Sequence, residues 1–132
     1  MRELKIRAWH KNIEWDGEGS MHEVLAISFE LGFIFVPIPD EPREHRRLEL
    51  EDCTLRLFTG YHDKDAREIY AGDILTDWHK RLLQVVWRDG RFQFQALKKT
   101  NFSYADMYQW FDGITEFPEV IGNRYENPDL LN

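Results

Sequence analysis

The chain contains 132 residues, 42% of them hydrophobic and 14% aromatic, which excludes a disordered protein and suffices for one domain with a buried core. Its formal net charge of −7 disfavours attraction to the DNA backbone or to anionic membranes. The single cysteine, Cys53, excludes an internal disulfide and fits a reducing cytosol.

The first predicted element is a half-buried strand near the N-terminus. Leu4, Ile6 and Ala8 share one face of it, and the intervening residues share the other. The charged residues of this segment leave no apolar region for a secretory signal peptide. The longest apolar run, residues 31–38, is far too short to cross a bilayer, so we expect no membrane contact.

The segment after the first loop fits two alternatives. Ser20 and Glu23 have the spacing of a capping box, which favours a short helix ending near Gly32. The alternative is a strand through Ile27 and Phe29. We prefer the helix, because the capping box supplies a start signal and the glycine supplies a stop.

A strand and a charged segment are predicted next. Residues 33–36 form a β run that Pro37 and Pro39 end. Residues 40–52 are rich in charge and are expected to be exposed.

The middle of the chain is predicted to consist of strands and tight turns. The strands cover residues 53–58, 73–76, 82–87 and 92–97. Gly72 precedes the second of them and supplies the conformational freedom that a sharp turn requires. Asp89 and Gly90 join the last two and favour a two-residue turn with positive φ, so we expect a β-hairpin here.

The C-terminal part is predicted to contain two short helical pieces. Residues 101–111 read as one helix, with Ser103 as its N-cap and Gly113 as its stop. Residues 120–121 form a last short strand, and the Asn-Pro pair at 127–128 begins a final helical turn. Five or six short strands around two tight turns predict a small barrel with peripheral helices.

The sequence contains no recognisable pattern for a catalytic or metal centre. The five histidines form none of the usual zinc spacings. His62, Asp63 and Asp65 are the nearest approach to a metal or acid–base cluster, but a solvated turn in which aspartates cap backbone N–H groups explains them better. We therefore expect alanine at His62 or Asp63 to leave folding nearly intact. Cys53 lacks the signature of a cysteine nucleophile and is predicted to be a buried structural residue.

Residues 78–99 form a basic stretch in an acidic chain. Six basic residues and Asp89 give this stretch a net charge of +5. The interleaved aromatic residues are Trp78, Trp87, Phe92 and Phe94. A β surface of this composition can bind phosphates and stack bases. We prefer the interpretation that the aromatic side chains enter the core and that the basic residues meet the acidic residues 105–132, of net charge −5, in the same or another subunit.

Four pieces of the chain, in the expected order, resemble the YopX-like family of phage and prophage proteins. They are the opening residues 1–9, a central signature at 58–60, 63–64, 67–70 and 72–74, the hairpin at 85–87 and 89–92, and the end of the chain at 119–123 and 125–131. The residues that carry the structural signature are Gly60, Asp63, Tyr70, Gly72, Asp73, Gly122 and Asn123. Residues 12–52 match poorly and are expected to be a variable insertion.

The resemblance implies a mainly β fold (α+β) with an SH3-like small β-barrel core and peripheral short helices, as a single domain over residues 1–132. It also implies an uncharacterised phage or prophage function. We expect an accessory protein without enzymatic activity, cofactor or metal, located in the cytoplasm of the host bacterium.

The expected mechanism is protein–protein association, including self-association into a homo-oligomer and binding of a phage or host protein. Tryptophan is over-represented at interface hot spots, so exposed tryptophans are the candidate anchors. These are Trp9, Trp15, Trp78 and Trp110. The alternative is a nucleic-acid-binding module that uses the basic aromatic hairpin 78–99. Its contact residues would be Trp78, Lys80, Arg81, Arg88, Arg91, Lys98 and Lys99.

Overall fold

The computed structural model describes residues 5–11, 19–97, 103–112 and 117–131. The chain divides into two compact units, Glu3–Leu57 and Phe58–Asn132, each with its own cluster of buried apolar residues. Strands dominate both units and the helices are short, which confirms the predicted mainly β class. None of the helices in the described ranges is long and apolar enough to cross a membrane. The expectation that residues 1–132 act as one domain stays a prediction.

The first unit consists of two groups of antiparallel strands. Its strands are β1 (Ile6–His10), β2 (Ser20–Glu23), β3 (Ala26–Ser28), β4 (Phe33–Ile38), β5 (Glu41–Glu49) and the first half of β6 (Cys53–His62). β1 lies between β2 and β6, and β4 lies between β3 and β5. A 3-10 turn, Leu50–Asp52, connects β5 to β6. The buried core residues are Ala8, Ile34, Val36 and Leu48.

The helix predicted from the capping box at Ser20 is wrong. The segment is strand β2, paired with β1 so that Glu23 accepts a hydrogen bond from Arg7 Nε at 2.9 Å. The Ser20 hydroxyl lies 2.7 Å from His22 Nε2 and caps no helix. The alternative was partly right, because Ile27 lies in β3. Pairing with β1 outweighs the local helix signals here.

The charged segment 40–52 is mostly exposed, as predicted, but it is an ordered part of the sheet. Strand β5 pairs with β4 along most of its length, and of its nine residues only Leu48 is buried. Strand β4 does not end before Pro37, as predicted, but continues to Ile38. The pairing of β4 with β5 shifts register between Pro37 and Ile38, and such an irregularity accommodates a proline, which has no N–H group to donate.

The second unit is built on one antiparallel sheet. Its strands are β7 (Glu68–Tyr70), β8 (Asp73–Thr76), β9 (Leu82–Arg88), β10 (Arg91–Ala96), β11 (Tyr104–Asp106) and β12 (Glu119–Asn123). Five of them pair in the order β11-β10-β9-β8-β12, and β7 pairs with the second half of β6. The core residues are Ile69, Leu75, Leu83, Val85, Phe94 and Met107.

The hairpin predicted at Asp89 and Gly90 is confirmed. Asp89 has φ +55° and Gly90 has φ +78°, and a two-residue type I′ turn requires both values to be positive. The pairing of β9 with β10 places Phe94 opposite Val85 in the core. Trp87, near the turn, is 60% exposed, so the predicted burial of the aromatic side chains holds for Phe94 and not for Trp87.

The helix α1 (Met107–Phe111) begins later than predicted. Its N-cap is Asp106 and not Ser103, because Asp106 Oδ1 accepts the Tyr108 N–H at 2.9 Å. The residues before it extend the sheet as β11. The predicted stop at Gly113 lies outside the described residues. The final helical turn is confirmed as a 3-10 turn over Pro128–Leu131.

Candidate functional site

The carboxylate of Asp63 is saturated by backbone hydrogen bonds. Its Oδ1 accepts the N–H groups of Asp65 and Arg67 at 2.9 and 2.8 Å, and its Oδ2 accepts the Val120 N–H at 3.0 Å. Just before this loop, Gly60 has φ +89° where the register of β6 against β7 shifts. Asp63 has the predicted capping role. It is buried, so the geometry favours a loss of stability in Asp63→Ala over the nearly intact folding expected from the sequence.

Gly72 and Asp73 fix the tight turn before β8. Gly72 has φ +89°, and its N–H donates to the Val85 carbonyl at 2.9 Å. A Cβ atom at Gly72 would come within 2.8 Å of the Tyr125 ring. Asp73 Oδ2 accepts the Tyr70 N–H at 2.8 Å. The predicted turn is therefore confirmed.

Gly122 and Asn123 hold the turn after β12. Asn123 Oδ1 accepts the N–H groups of Tyr125 and Glu126 at 3.0 and 2.8 Å. The Asn127 side chain lies where a Cβ atom on Gly122 would be, 2.5 Å from that position, and accepts the Asn123 N–H at 3.1 Å. The signature residues thus specify turns and strand ends. The structure brings Asp73 and Asn123 together, because β8 pairs with β12 at these two positions.

Two loops of the second unit, residues 63–67 and 77–81, have the same geometry, and we call them the twin loops. In each, the carboxylate of the first residue accepts the N–H groups two and four residues later. The fourth residue has φ +62° or +63°, and the fifth is an arginine. In the second loop this arginine, Arg81, also pairs with the buried Asp77 at 2.7 Å. Both loops have the motif D-x-x-x-R, 14 residues apart, but Asp52 and Arg56 share this spacing where β6 begins, so the motif alone does not identify the pair.

A cleft of about 440 Å³ is lined by both twin loops and by the segment that leads into β12. We call it the twin-loop cleft. Two of its lining side chains are exposed aromatics, Trp78 at 43% and Phe117 at 45%. Lys64 Nζ and Glu119 Oε2 form an ion pair at 3.4 Å, and Lys80 also lines the cleft. The remaining lining residues are Thr76 and Asp77.

The arginines of the predicted basic surface already contact acidic residues of the same chain. Arg91 Nε lies 2.6 Å from Asp106 Oδ2, and Arg88 Nη1 lies 3.5 Å from Asp89 Oδ2. Arg81 pairs with the first aspartate of its own twin loop. These contacts compensate three of the six positive charges, and the Arg91 pair joins the hairpin to the acidic segment within one chain.

The predicted surface is divided between the two ends of β9. Trp78 and Lys80 lie at the twin-loop cleft before β9, whereas Arg88 and Arg91 lie at the far end, about 20 Å away at 3.3 Å per residue. There the Arg88 guanidinium stacks 4.0 Å from the centre of the Tyr104 ring, beside a second cleft of about 560 Å³. We call this the hairpin cleft. Lys98 and Lys99 lie outside the described residues.

Of the candidate tryptophan anchors within the described ranges, Trp78 alone is exposed. Trp9 and Trp110 are half-buried, and the Trp110 ring contacts Phe94 with a centroid distance of 5.2 Å. Trp15 lies outside the described residues. Sequence reasoning missed the cleft residues Lys64 and Phe117, because only folding brings these distant segments beside Trp78.

Metal-binding groups and the single thiol were the remaining candidates for a chemical site in the described ranges. In the part of the chain that the structure describes, no three His, Cys, Asp or Glu side chains are grouped to hold a metal ion. Burial raises the pKa of the Cys53 thiol to about 11, and Asp52 contributes, so the thiolate is scarce at neutral pH. Cys53 is half-buried and packs on the core of the first unit, which fits the predicted structural role.

Comparison with known proteins gives a family and a fold. The profile of the family described as YopX protein matches residues 7–132. The structure is similar to the crystal structure of protein EF1440 from Enterococcus faecalis, at 23% sequence identity and a TM-score of 0.63, with 100% of each chain covered. It is also similar to the X-ray crystal structure of protein yopX from Bacillus subtilis, at 19% identity and a TM-score of 0.60, covering 97% of this chain and 95% of that one. No curated protein matches the chain.

Proposed function

The chain belongs to the YopX protein family, and we propose that it is a non-enzymatic phage or prophage accessory protein that binds other proteins at the twin-loop cleft. One observation carries the proposal: Trp78 and Phe117 expose large aromatic surfaces there, beside loops that buried aspartates hold in place. Tryptophan in a preformed pocket is a frequent hot spot of protein interfaces.

The polar groups of the cleft favour binding over catalysis. The Asp77 carboxylate accepts two backbone N–H groups and the Arg81 side chain, and Lys64 is paired with Glu119. A general base or a nucleophile needs a group that is free to take a proton or attack a substrate. These partners occupy the groups that would have to act, which supports a non-enzymatic role.

We also propose the type of β-barrel, the self-association of the protein and its location in the host cell. An SH3-like barrel for the second unit is supported by its five-stranded antiparallel sheet and its tight hairpin. Self-association is supported by the exposed aromatic side chains, and a cytoplasmic location in the host by the single cysteine. In this proposal the chain is a single domain and forms one subunit of a homo-oligomer.

An affinity pull-down from infected cells, with and without nuclease, tests the main proposal. We expect a protein partner that is recovered in both conditions by the unmodified chain and lost with Trp78→Ala. Trp87→Ala is the matched control, because Trp87 is an exposed tryptophan at the other end of β9. A partner that depends on nucleic acid, or one that Trp78→Ala retains, contradicts the proposal.

A second candidate function is nucleic-acid binding at the hairpin cleft. The stacking of Arg88 over Tyr104 favours it, with Arg91 beside them, because cations next to aromatic faces suit phosphates and bases. A gel-shift assay with single-stranded DNA and RNA tests it. This function predicts a shift that the Arg88→Glu, Arg91→Glu double variant loses and that Trp78→Ala keeps.

A further inference from the structure

The geometry of the twin-loop cleft points to the chemistry of its partner: we propose that it binds a short protein segment presenting an apolar ring beside a single carboxylate. This inference rests on the proposed protein-binding function and specifies what that function recognises. It is carried by the exposed aromatic walls, by the fixed loops and by the charge of Lys80.

The two exposed aromatic side chains of the cleft, Trp78 and Phe117, which we call its aromatic walls, pack on further aromatic rings. Trp78 contacts Trp110 with a centroid distance of 5.9 Å, and Phe117 contacts Phe111 at 5.6 Å. Phe111 in turn stacks on Tyr61 at 4.6 Å with nearly parallel planes. Trp78 and Phe117 thus pack on the protein and still leave a large part of each ring exposed. An aromatic or aliphatic side chain that enters between them gains the burial and ring contacts that dominate interface energetics.

The loops around these walls are fixed before a partner arrives. In both, one aspartate carboxylate accepts two backbone N–H groups of its own loop, and the first residue and the fifth also share a backbone hydrogen bond. The first loop is tied to β12 as well, because the Lys64 N–H donates to the Pro118 carbonyl at 3.0 Å. Binding to such loops costs little ordering entropy, which suits recognition of a short segment.

Among the described residues that line the cleft, the charges leave one positive group for a partner. Lys64 is paired with Glu119, and the Asp77 carboxylate is paired with Arg81. Lys80 is exposed and has no carboxylate partner among the residues that the structure describes. One uncompensated ammonium group attracts one carboxylate, and the neighbouring Glu119 and Asp77 disfavour a strongly anionic ligand.

The same charge pattern favours a peptide over a nucleic acid at this cleft. Binding to a single strand draws its affinity from several phosphate contacts along a positively charged groove. The twin-loop cleft offers Lys80 alone for that purpose among its described residues, on a chain of net charge −7. A peptide segment with an apolar ring and one adjacent carboxylate would place a single negative charge beside the single ammonium group of Lys80.

The test titrates the ¹⁵N-labelled 132-residue chain with two capped dipeptides, acetyl-Phe-Glu-amide and acetyl-Phe-Lys-amide. ¹H–¹⁵N correlation spectra follow the signal of the Trp78 indole N–H, which is assigned by its absence in the Trp78→Phe variant. We expect saturable shifts at Trp78 and Lys80, with binding of the glutamate peptide about threefold or more tighter, as an exposed charge pair allows. Lys80→Glu should reverse the preference toward the lysine peptide. Arg43→Glu is the control, because it removes an exposed cation of strand β5 that does not line the cleft, and it should leave the preference unchanged.

Three outcomes of the peptide titration overturn the inference. They are equal affinity for the two peptides, an unchanged preference in Lys80→Glu, and no shift at Trp78 with either peptide. A short thymidine oligonucleotide that shifts Trp78 more strongly than the peptides, and depends on Lys80, also overturns it in favour of nucleic acid. If a pulled-down partner still depends on Trp78 while the peptides fail, the protein-binding proposal stands and only the chemistry of the segment is wrong.

Discussion

Gly72 combines two constraints that a side chain would violate. Its φ of +89° disfavours any β-branched residue, and the Tyr125 ring fills the space of a Cβ atom. Gly72→Val should therefore lower the free energy of unfolding by about 1–3 kcal/mol in urea denaturation. Gly90→Val is the matched control, since Gly90 has φ +78° and open space around it. An equal loss in the two variants would mean that the Tyr125 contact contributes nothing.

Alanine at Asp63 and alanine at its neighbour His62 are expected to change the free energy of unfolding by very different amounts. Asp63→Ala removes the acceptor of three backbone N–H groups at a buried position, so we expect a loss of about 2 kcal/mol or more in the free energy of unfolding. His62→Ala changes an exposed side chain and should stay within about 0.5 kcal/mol of the unmodified protein. A stable Asp63→Ala variant would show that water replaces the carboxylate without cost.

His22 should make the first unit less stable in mild acid. Burial lowers the pKa of His22 below its ordinary value of 6.5, and the nearby charges of His10 and Arg46 lower it further. In the unfolded chain His22 therefore takes up a proton at a higher pH than in the folded one. Its contribution to stability is complete above pH 6.5 and is lost as the pH falls through the lowered pKa.

Urea denaturation at pH 7.5 and pH 5.5 measures this effect of His22. The unmodified chain should lose more stability between the two pH values than His22→Gln, whose amide can still reach the Ser20 hydroxyl. The two proteins differ only at position 22, so the difference between their losses reports on His22 together with its interactions with neighbouring charges. Equal losses in the two proteins would contradict the assignment.

Among the strands, turns and helices, the sequence predicts correctly those whose conformation is determined by neighbouring residues. The β9–β10 hairpin is predictable because Asp89 and Gly90 alone dictate a turn with positive φ. Strand β8 has the predicted bounds because Gly72 marks its start. The structural roles of Asp63 and Gly72 are likewise visible in the family resemblance, which spans turn residues.

Elements that depend on distant partners were beyond local reasoning. The capping-box signal at Ser20 is outweighed by pairing of β2 with β1, which is a tertiary contact. The cap of α1 moves from Ser103 to Asp106 because the residues between them join β10 as strand β11. The twin-loop cleft was missed for the same reason, since it needs two loops and Phe117 together.

At the scale of the whole molecule, the opposite charges of residues 78–99 and 105–132 are partly neutralised within the chain. The ion pair of Arg91 with Asp106 joins the two segments, and Arg81 is held by Asp77. Charge is therefore available for assembly mainly at exposed positions, where physiological salt screens it over about 8 Å. Attraction between subunits should therefore depend on exposed aromatic surface and, at low salt, also on the remaining exposed charge.

Light scattering over a range of salt concentrations tests self-association. We expect a mass above 15.9 kDa at low salt and a smaller average mass at high salt. Arg88→Glu with Arg91→Glu should shift the protein toward monomer, because the glutamates in place of these exposed arginines would repel the acidic surface of another copy. Arg43→Glu with Arg47→Glu makes the same change in net charge on strand β5 and is the control. If both pairs reduce the mass equally, net charge alone governs assembly, and a monomer at every salt and protein concentration excludes a homo-oligomer.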